Sequence, residues 1–286
     1  MARNLQSQSF VKKKRAKMWL KGVGLLLVLV LAGALVSWLF RLSFLTISDV
    51  QVFGADPEIT DAIHDVAVSK LTGDYLGIFS RRNTLIYPKN SIVSSIKFNF
   101  PRVLDVSISH DGLTHIRVTV NEKVPSAIVC ATLPNFDGNL FVFDPTDPCY
   151  LADNTGFMYQ KSPGFSGHPY HIYYAPDISP IASTTDLVGT YATSTTEFQT
   201  LQSFYDGVER DGIIGDALLL KQGGEYELYS SSTIIYFNDA EGIGKELANL
   251  SAFWTHSMND RSQKKQPVFD YIDLRYSPNV FYKIEK

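Results

Sequence analysis

The sequence predicts an α+β protein carried on a single N-terminal transmembrane helix, with a β-α-α-β-β unit followed by a β-rich domain holding two helices. Three observations predict it. Gly22 to Phe40 is a 19-residue run without a charge. Beyond it, apolar residues recur first at strand spacing, then twice at helical spacing, then at strand spacing again. The second half is a series of short alternating runs separated by Gly, Pro and Asn turns. With 286 residues there is room for two small domains behind the membrane segment.

At about 1.5 Å per residue the uncharged run spans roughly 28 Å, close to the hydrocarbon thickness of a bilayer. Trp19 and Trp38 lie near its ends, where amphipathic rings favour the interface. A cleaved secretory signal has a shorter apolar stretch followed by a small-x-small pair, and none follows the run near Phe40, so it reads as an uncleaved signal anchor. Residues 1–48 hold eight Lys and Arg and no acid, whereas the rest holds 18 Lys and Arg against all 29 Asp and Glu. Seven of the eight cations precede the span, including the Lys12–Lys17 cluster. The positive-inside rule therefore puts residues 1–21 in the cytoplasm as a basic tail, 22–41 in the membrane and the remainder outside. An exported part with a balance of −11 is a poor partner for nucleic acid, which needs clustered cations.

Ile47, Val50 and Val52 alternate into Gly54 as a short strand. Asp56-Pro57 then opens a helix, with Thr60 and Asp61 as polar entry, whose buried stripe is Ile59, Ile63, Val66, Ala67 and Leu71. Pro88 opens a second helix through Ile92, Val93 and Ile96, which must end before Pro101. Residues 103–110 alternate, with Leu104, Val106 and Ile108 as the apolar set, and Ile116, Val118 and Val120 continue after Asp111-Gly112. A hairpin with one buried face is the natural solution.

Past residue 125, Ser126–Cys130, Cys149–Ala152 and Phe157–Tyr159 are short strand candidates. Ser183–Thr200, half Ser and Thr, reads as loop or exposed edge. Phe198, Leu201, Phe204, Tyr205 and Val208 share a helix face, and Leu247, Leu250, Phe253 and Trp254 another. Ala217–Lys221, Tyr226–Ser230 and Ile234–Phe237 form a meander. Val268–Tyr276 and Val280–Ile284 close the domain around Ser277-Pro278-Asn279. Cys130 and Cys149 lie in the exported part, where oxidation is permitted, and either close a loop of about 20 residues as a disulfide or remain two partly buried thiols.

A search for catalytic chemistry returns nothing specific. His168-Pro169-Tyr170-His171 has i,i+3 spacing, but Pro169 disfavours a helix and no third metal ligand is apparent, so it reads as a tyrosine-rich surface loop. There is no Walker loop and no His-Glu-x-x-His, and Gly164-Phe165-Ser166-Gly167 lacks the spacing of a nucleophile elbow. The expectation is a non-enzymatic binding protein with no metal, no cofactor and no small-molecule substrate. The surface it offers is the terminal strand, since the last strand of a sheet exposes unpaired N–H and C=O groups to which a partner strand adds.

Several words of the sequence resemble the FtsQ/DivIB family of bacterial division proteins. Phe100-Pro101-Arg102-Val103 precedes the hairpin, and Asn121-Glu122-Lys123-Val124-Pro125-Ser126-Ala127 follows it. Then come Leu151-Ala152-Asp153-Asn154-Thr155-Gly156-Phe157 and, near the end, Ile272-Asp273-Leu274-Arg275-Tyr276. In this order behind a membrane anchor they cover the whole exported chain; the insertion at Leu133–Pro148 and the cysteine pair depart from the pattern. The resemblance implies a POTRA-like domain over 42–125 and an FtsQ-type β domain over 126–286. It implies a divisome scaffold at the septum of the inner membrane, binding FtsB/FtsL-like bitopic proteins and other divisome membrane proteins. By position, Tyr276, Val280, Phe281 and Tyr282 would form the partner-binding edge, with Asp273 and Arg275 bracing it. The rival readings are a membrane-anchored cell-wall enzyme, a POTRA-type export module and a generic signal-anchored receptor.

Overall fold

The protein is described here by a computed structural model covering residues 8–77, 79–137, 140–165, 169–178, 186–230, 233–259 and 267–285. Ser166, Gly167, His168 and Ser183, named above, lie outside these residues. Two compact units divide at Glu122–Lys123. Among the described residues the chain is a mixed α+β protein with five α-helices, one of them N-terminal and apolar, and a large β-rich sheet.

The first unit begins with helix α1, Gln8–Leu39. Its segment Lys17–Leu39 is long and apolar enough to cross a membrane. The helix starts within the basic tail instead of at Gly22, because nothing in residues 8–21 breaks it. After a short 3₁₀ turn at Ser43–Leu45 come β1 (Asp49–Phe53), α2 (Pro57–Leu71), a small hairpin β2 (Asp74–Tyr75) and β3 (Phe79–Ser80), α3 (Lys89–Asn99), β4 (Val103–His110) and β5 (His115–Glu122). The sheet order is β1-β5-β4, with β1 parallel to β5 and β4 antiparallel to it. Helices α2 and α3 bury Ile63, Ala67, Leu71, Ile92 and Ile96 against Val106, Ile108, Ile116, Val118 and Val120 of the sheet.

Local chemistry explains these boundaries. Asp56 caps α2 by accepting the Glu58 N–H at 3.0 Å, with Pro57 in the first helical position. The cap is thus Asp56, a turn ahead of Thr60 and Asp61. Gly54 has φ +79°, and a Cβ there would stand 2.3 Å from the Val120 carbonyl oxygen, so only glycine fits. One sequence expectation fails in β4. Leu104 is 58% exposed while Val103 is buried, because the pairing with β5 shifts by one residue between Val103 and Asp105. Such a bulge flips the side chains before it to the other face.

The second unit contains β6 (Ala127–Cys130), β7 (Asn135–Asp137), β8 (Leu140–Val142), β9 (Cys149–Ala152), β10 (Phe157–Lys161), β11 (His171–Tyr174), β12 (Thr190–Tyr191), α4 (Thr195–Arg210), β13 (Ala217–Lys221), β14 (Glu225–Ser230), β15 (Thr233–Asn238), α5 (Ile243–Asn259), β16 (Phe269–Asp273) and β17 (Phe281–Ile284). Ten of these strands form one mixed sheet in the order β12-β10-β9-β6-β11-β13-β14-β15-β16-β17. Helices α4 and α5 cover one face, packing Phe198, Phe204 and Leu250 against Val129, Tyr173, Leu218 and Phe237. The central strands are buried on the other face too, through Ile128, Leu151, Ile172, Tyr174 and Leu219. Hairpin β7–β8 helps to cover that side, with Phe136 5.0 Å from Tyr229 and Phe141 5.8 Å from Tyr174, ring to ring.

Three readings of the sequence change here. The tyrosine-rich segment at 169–171 is no surface loop at its end, since His171 opens the central strand β11, whose Tyr173 and Tyr174 are wholly buried. The Ser/Thr-rich stretch ends in helix, because Ser194 caps α4 by accepting the Glu197 N–H and Thr195 begins it; only Thr190–Tyr191 is an edge strand. The strand expected over Val268–Tyr276 stops at Asp273.

Two substitutions probe how this unit is held. Lys123 and Asp153 form an ion pair in which both side chains are largely buried. Lys123→Met should lower stability by about 3 kcal/mol, read as a fall in the denaturation midpoint, because it strands a buried carboxylate. Glu246 is also buried, accepting the Asn238 N–H at 2.9 Å. Burial, with Asp273, Asp239 and Glu241 nearby, pushes its carboxyl from the ordinary 4.5 up to about 7. The unfolded chain releases this proton first, so stability falls as pH rises from about 4.5 to 7 and is level above that. Glu246→Gln should therefore stabilise the protein at pH 8 by up to about 3 kcal/mol and change little at pH 4, as measured by unfolding at the two pH values.

Candidate functional site

Strand β17 is the last strand of the ten-stranded sheet, paired antiparallel with β16. Asp273 faces Phe281, Ile272 faces Tyr282 and Tyr271 faces Lys283. The Glu285 N–H donates to the Val268 carbonyl at 2.9 Å, so it points into the sheet. Successive N–H groups of a strand alternate in direction; those of Tyr282 and Ile284 therefore point outward, away from β16. The opposite edge, β12, is only two residues long.

The side chains of β17 divide between its two faces. Tyr282 lies on the helical face, with its ring 5.0 Å from Phe253 of α5 and 5.6 Å from Phe269 of β16. Phe281 lies on the other face, perpendicular to the ring of Tyr276 at 5.6 Å, and is 53% exposed. Tyr276 is 60% exposed but sits in the turn between β16 and β17, so it flanks the edge without belonging to it. Val280 precedes the strand and packs, half-buried, against the main core. Of the four residues assigned to the edge from sequence, only Phe281 and Tyr282 lie on β17; turn geometry removes Tyr276 and packing occupies Val280. Ile284, exposed at the end of the strand, belongs with them.

The turn is rigidly held. Arg275 donates from Nε and Nη2 to the two carboxylate oxygens of Asp273 at 2.9 and 2.7 Å, and reaches Glu225 at 3.5 Å. Its guanidinium stands over the rings of Tyr236 and Tyr276, 5.1 and 5.9 Å from their centres. The hydrogen bonds to Asp273 raise the Arg275 pKa further, so the guanidinium keeps its charge. Lys283 pairs with Asp270 at 2.6 Å, and this bond raises its pKa. That pairing neutralises the one charge on β17 itself.

Elsewhere, Cys130 and Cys149 are directly opposite on β6 and β9 and joined as a disulfide, closing the insertion that carries β7 and β8. His171 stacks on Tyr205 at 3.9 Å and is held by Glu209 at 3.3 Å and Asp206 at 3.7 Å. The nearby Ser203 hydroxyl donates to the Gln199 carbonyl. That arrangement is a braced imidazole on the flank of α4. Among the described residues no group of three or more His, Cys, Asp or Glu is gathered as metal ligands. No protein-family model matches this chain, and no curated protein matches it.

The two aromatic residues of β17 are energetically separable. Tyr282→Ala should cost about 1–3 kcal/mol, having lost two ring contacts with buried or half-buried partners. Phe281→Ala should cost under about 1 kcal/mol, since its one ring partner is itself exposed. Chemical denaturation of the two variants reads the difference.

Proposed function

We propose that this chain is a non-enzymatic, bitopic scaffold of the FtsQ/DivIB type, anchored by α1 with residues 1–21 in the cytoplasm and the two units outside. It binds FtsB/FtsL-like division proteins and helps regulate septal cell-wall synthesis. The observation that carries this reading is the exposed edge β17, with its outward N–H groups and its uncovered Phe281. A partner segment in extended conformation pairs with that edge; main-chain bonds supply affinity and the Phe281–Tyr276 face selects side chains. The first unit supports the reading through its order β1-α2-α3-β4-β5, with the small hairpin β2–β3 inserted between the helices, and through its helices on one face of a three-stranded sheet.

The test is crosslinking capture from native membranes, with captured proteins identified by mass spectrometry. Phe281→Glu places a charge on the exposed apolar contact. Ile284→Pro removes an outward donor without removing a bond to β16. Each should reduce recovery of an FtsB- or FtsL-type protein roughly ten-fold, the worth of a lost hydrogen bond or a comparable contact. Unchanged recovery in both variants would move the binding surface elsewhere. Absence of any division protein from the wild-type capture would overturn the family reading itself.

A further inference from the structure

The small hairpin β2–β3 is built against the end of the apolar helix. Arg41, two residues past α1, pairs with Asp74 at 3.3 Å. Phe40, one residue nearer the helix, meets the ring of Phe79 at 5.5 Å. Phe79 pairs with Tyr75, one step closer to the hairpin tip than the Asp74–Ser80 pair. The contacts thus step back along the chain toward Leu39 as the hairpin runs toward its tip, beyond the Tyr75–Phe79 pair. The residue there is Leu76.

Leu76 is 92% exposed and adopts φ +53°, a left-handed conformation that ordinarily selects glycine or asparagine. A large apolar side chain is held out at a backbone position that disfavours it. The mount beneath is firm. Asn83 is fully buried, donates to the Phe40 carbonyl at 2.8 Å and accepts the Leu85 N–H at 2.9 Å. The Ile47 and Thr84 N–H groups bond to Arg82 and Leu45 across the same junction. Phe44, in the 3₁₀ turn just past the helix, is also exposed, as are Arg41 and Arg82. Apolar tips between exposed cations suit a surface that is apolar inside and phosphate-bearing outside.

We infer that the β2–β3 hairpin is an interfacial anchor that dips Leu76 into the outer leaflet beside α1, so that the first unit is seated on the lipid surface. This rests on Lys17–Leu39 being a membrane span, and the occupant is the bilayer itself. Both natural cysteines are in the disulfide, so a single added cysteine takes a polarity-sensitive fluorophore cleanly. Full-length Leu76→Cys is labelled and reconstituted into lipid-only nanodiscs containing phosphatidylglycerol. Phe98→Cys, 85% exposed on the last turn of α3, is the control, because the adjoining β4 start lies at the opposite end of the sheet from the β1 start.

The Leu76 label should shift to the blue and be quenched by lipids spin-labelled near the headgroup, while the Phe98 label stays water-like. A water-like, unquenched Leu76 label in protein that resists alkaline extraction from liposomes would overturn the anchor and leave the span intact. Release by alkaline extraction would overturn the span, and the anchor with it. Leu76→Asn, which suits the left-handed backbone, should retain the fold and lose protection of residues 74–77 in lipid-dependent hydrogen exchange. Unchanged protection would likewise overturn the anchor.

Discussion

Every strand of a sheet must pair its backbone groups, and a sheet wide enough to bury a core on both faces still ends in two edges. That constraint organises the second unit. Strands β6, β9 and β13 are buried along nearly their whole length, one face under α4 and α5, the other under aromatic side chains of the insertion and neighbouring loops. The disulfide closes that insertion where it leaves and rejoins the sheet, so its cover is fixed at the point of departure. With the middle covered, the two end strands carry the sheet's open backbone edges. One end is reduced to two residues. At the other, the chain presents four residues that are exposed throughout.

The words that prompted the family resemblance prove to be structural fasteners. Arg102 of the first pairs with Glu122 of the second at 2.7 Å, with Asp56 at 3.3 Å as a further partner. Lys123, the next residue, pairs with Asp153 of the third. Burial alone would raise the Asp153 carboxyl. Bonds from Lys123 and from the Thr155 hydroxyl and N–H outweigh it and hold the pKa below the ordinary range. Asp273 and Arg275 of the last word form the fork described above. Such words therefore carry information about how the turns are braced, which is a statement about fold.

How legible the fold was depended on the range of the deciding interaction. Helices α2 and α3 and the hairpin β4–β5 follow from local period and from Pro57, Pro88 and Pro101. The bulge at Leu104 does not, because it is set by cross-strand pairing. His171–Tyr174 is too short to show a period, and its place at the centre of the sheet comes from parallel partners far away in sequence. At the site, the terminal strand was legible as an edge, and Phe281 and Tyr282 with it. Tyr276 and Val280 lie outside the strand, since a turn's residues are placed by three-dimensional packing. Ile284, missed within the predicted strand, could have been found from alternation with Tyr282.

An exposed apolar edge invites pairing with the wrong chain, including another copy of itself, so its specificity must come from features that are costly to match. Here the edge is four residues long, which limits the main-chain bonds any partner gains. Its cation, Lys283, is occupied by Asp270 and does not repel. Selection then falls on the side-chain faces. The helical face is already committed, with Tyr282 packed on Phe253 and Phe269, so an incoming strand meets a prebuilt wall there. The other face offers the perpendicular pair Phe281–Tyr276, with Tyr276 lying beneath an arginine immobilised by Asp273. A strand that docks must bury Phe281 without displacing that arginine, whose loss would strand the buried Asp273 carboxylate. On the proposed reading the brace on the turn is also a filter on the partner, which backbone pairing along a four-residue edge does not bypass.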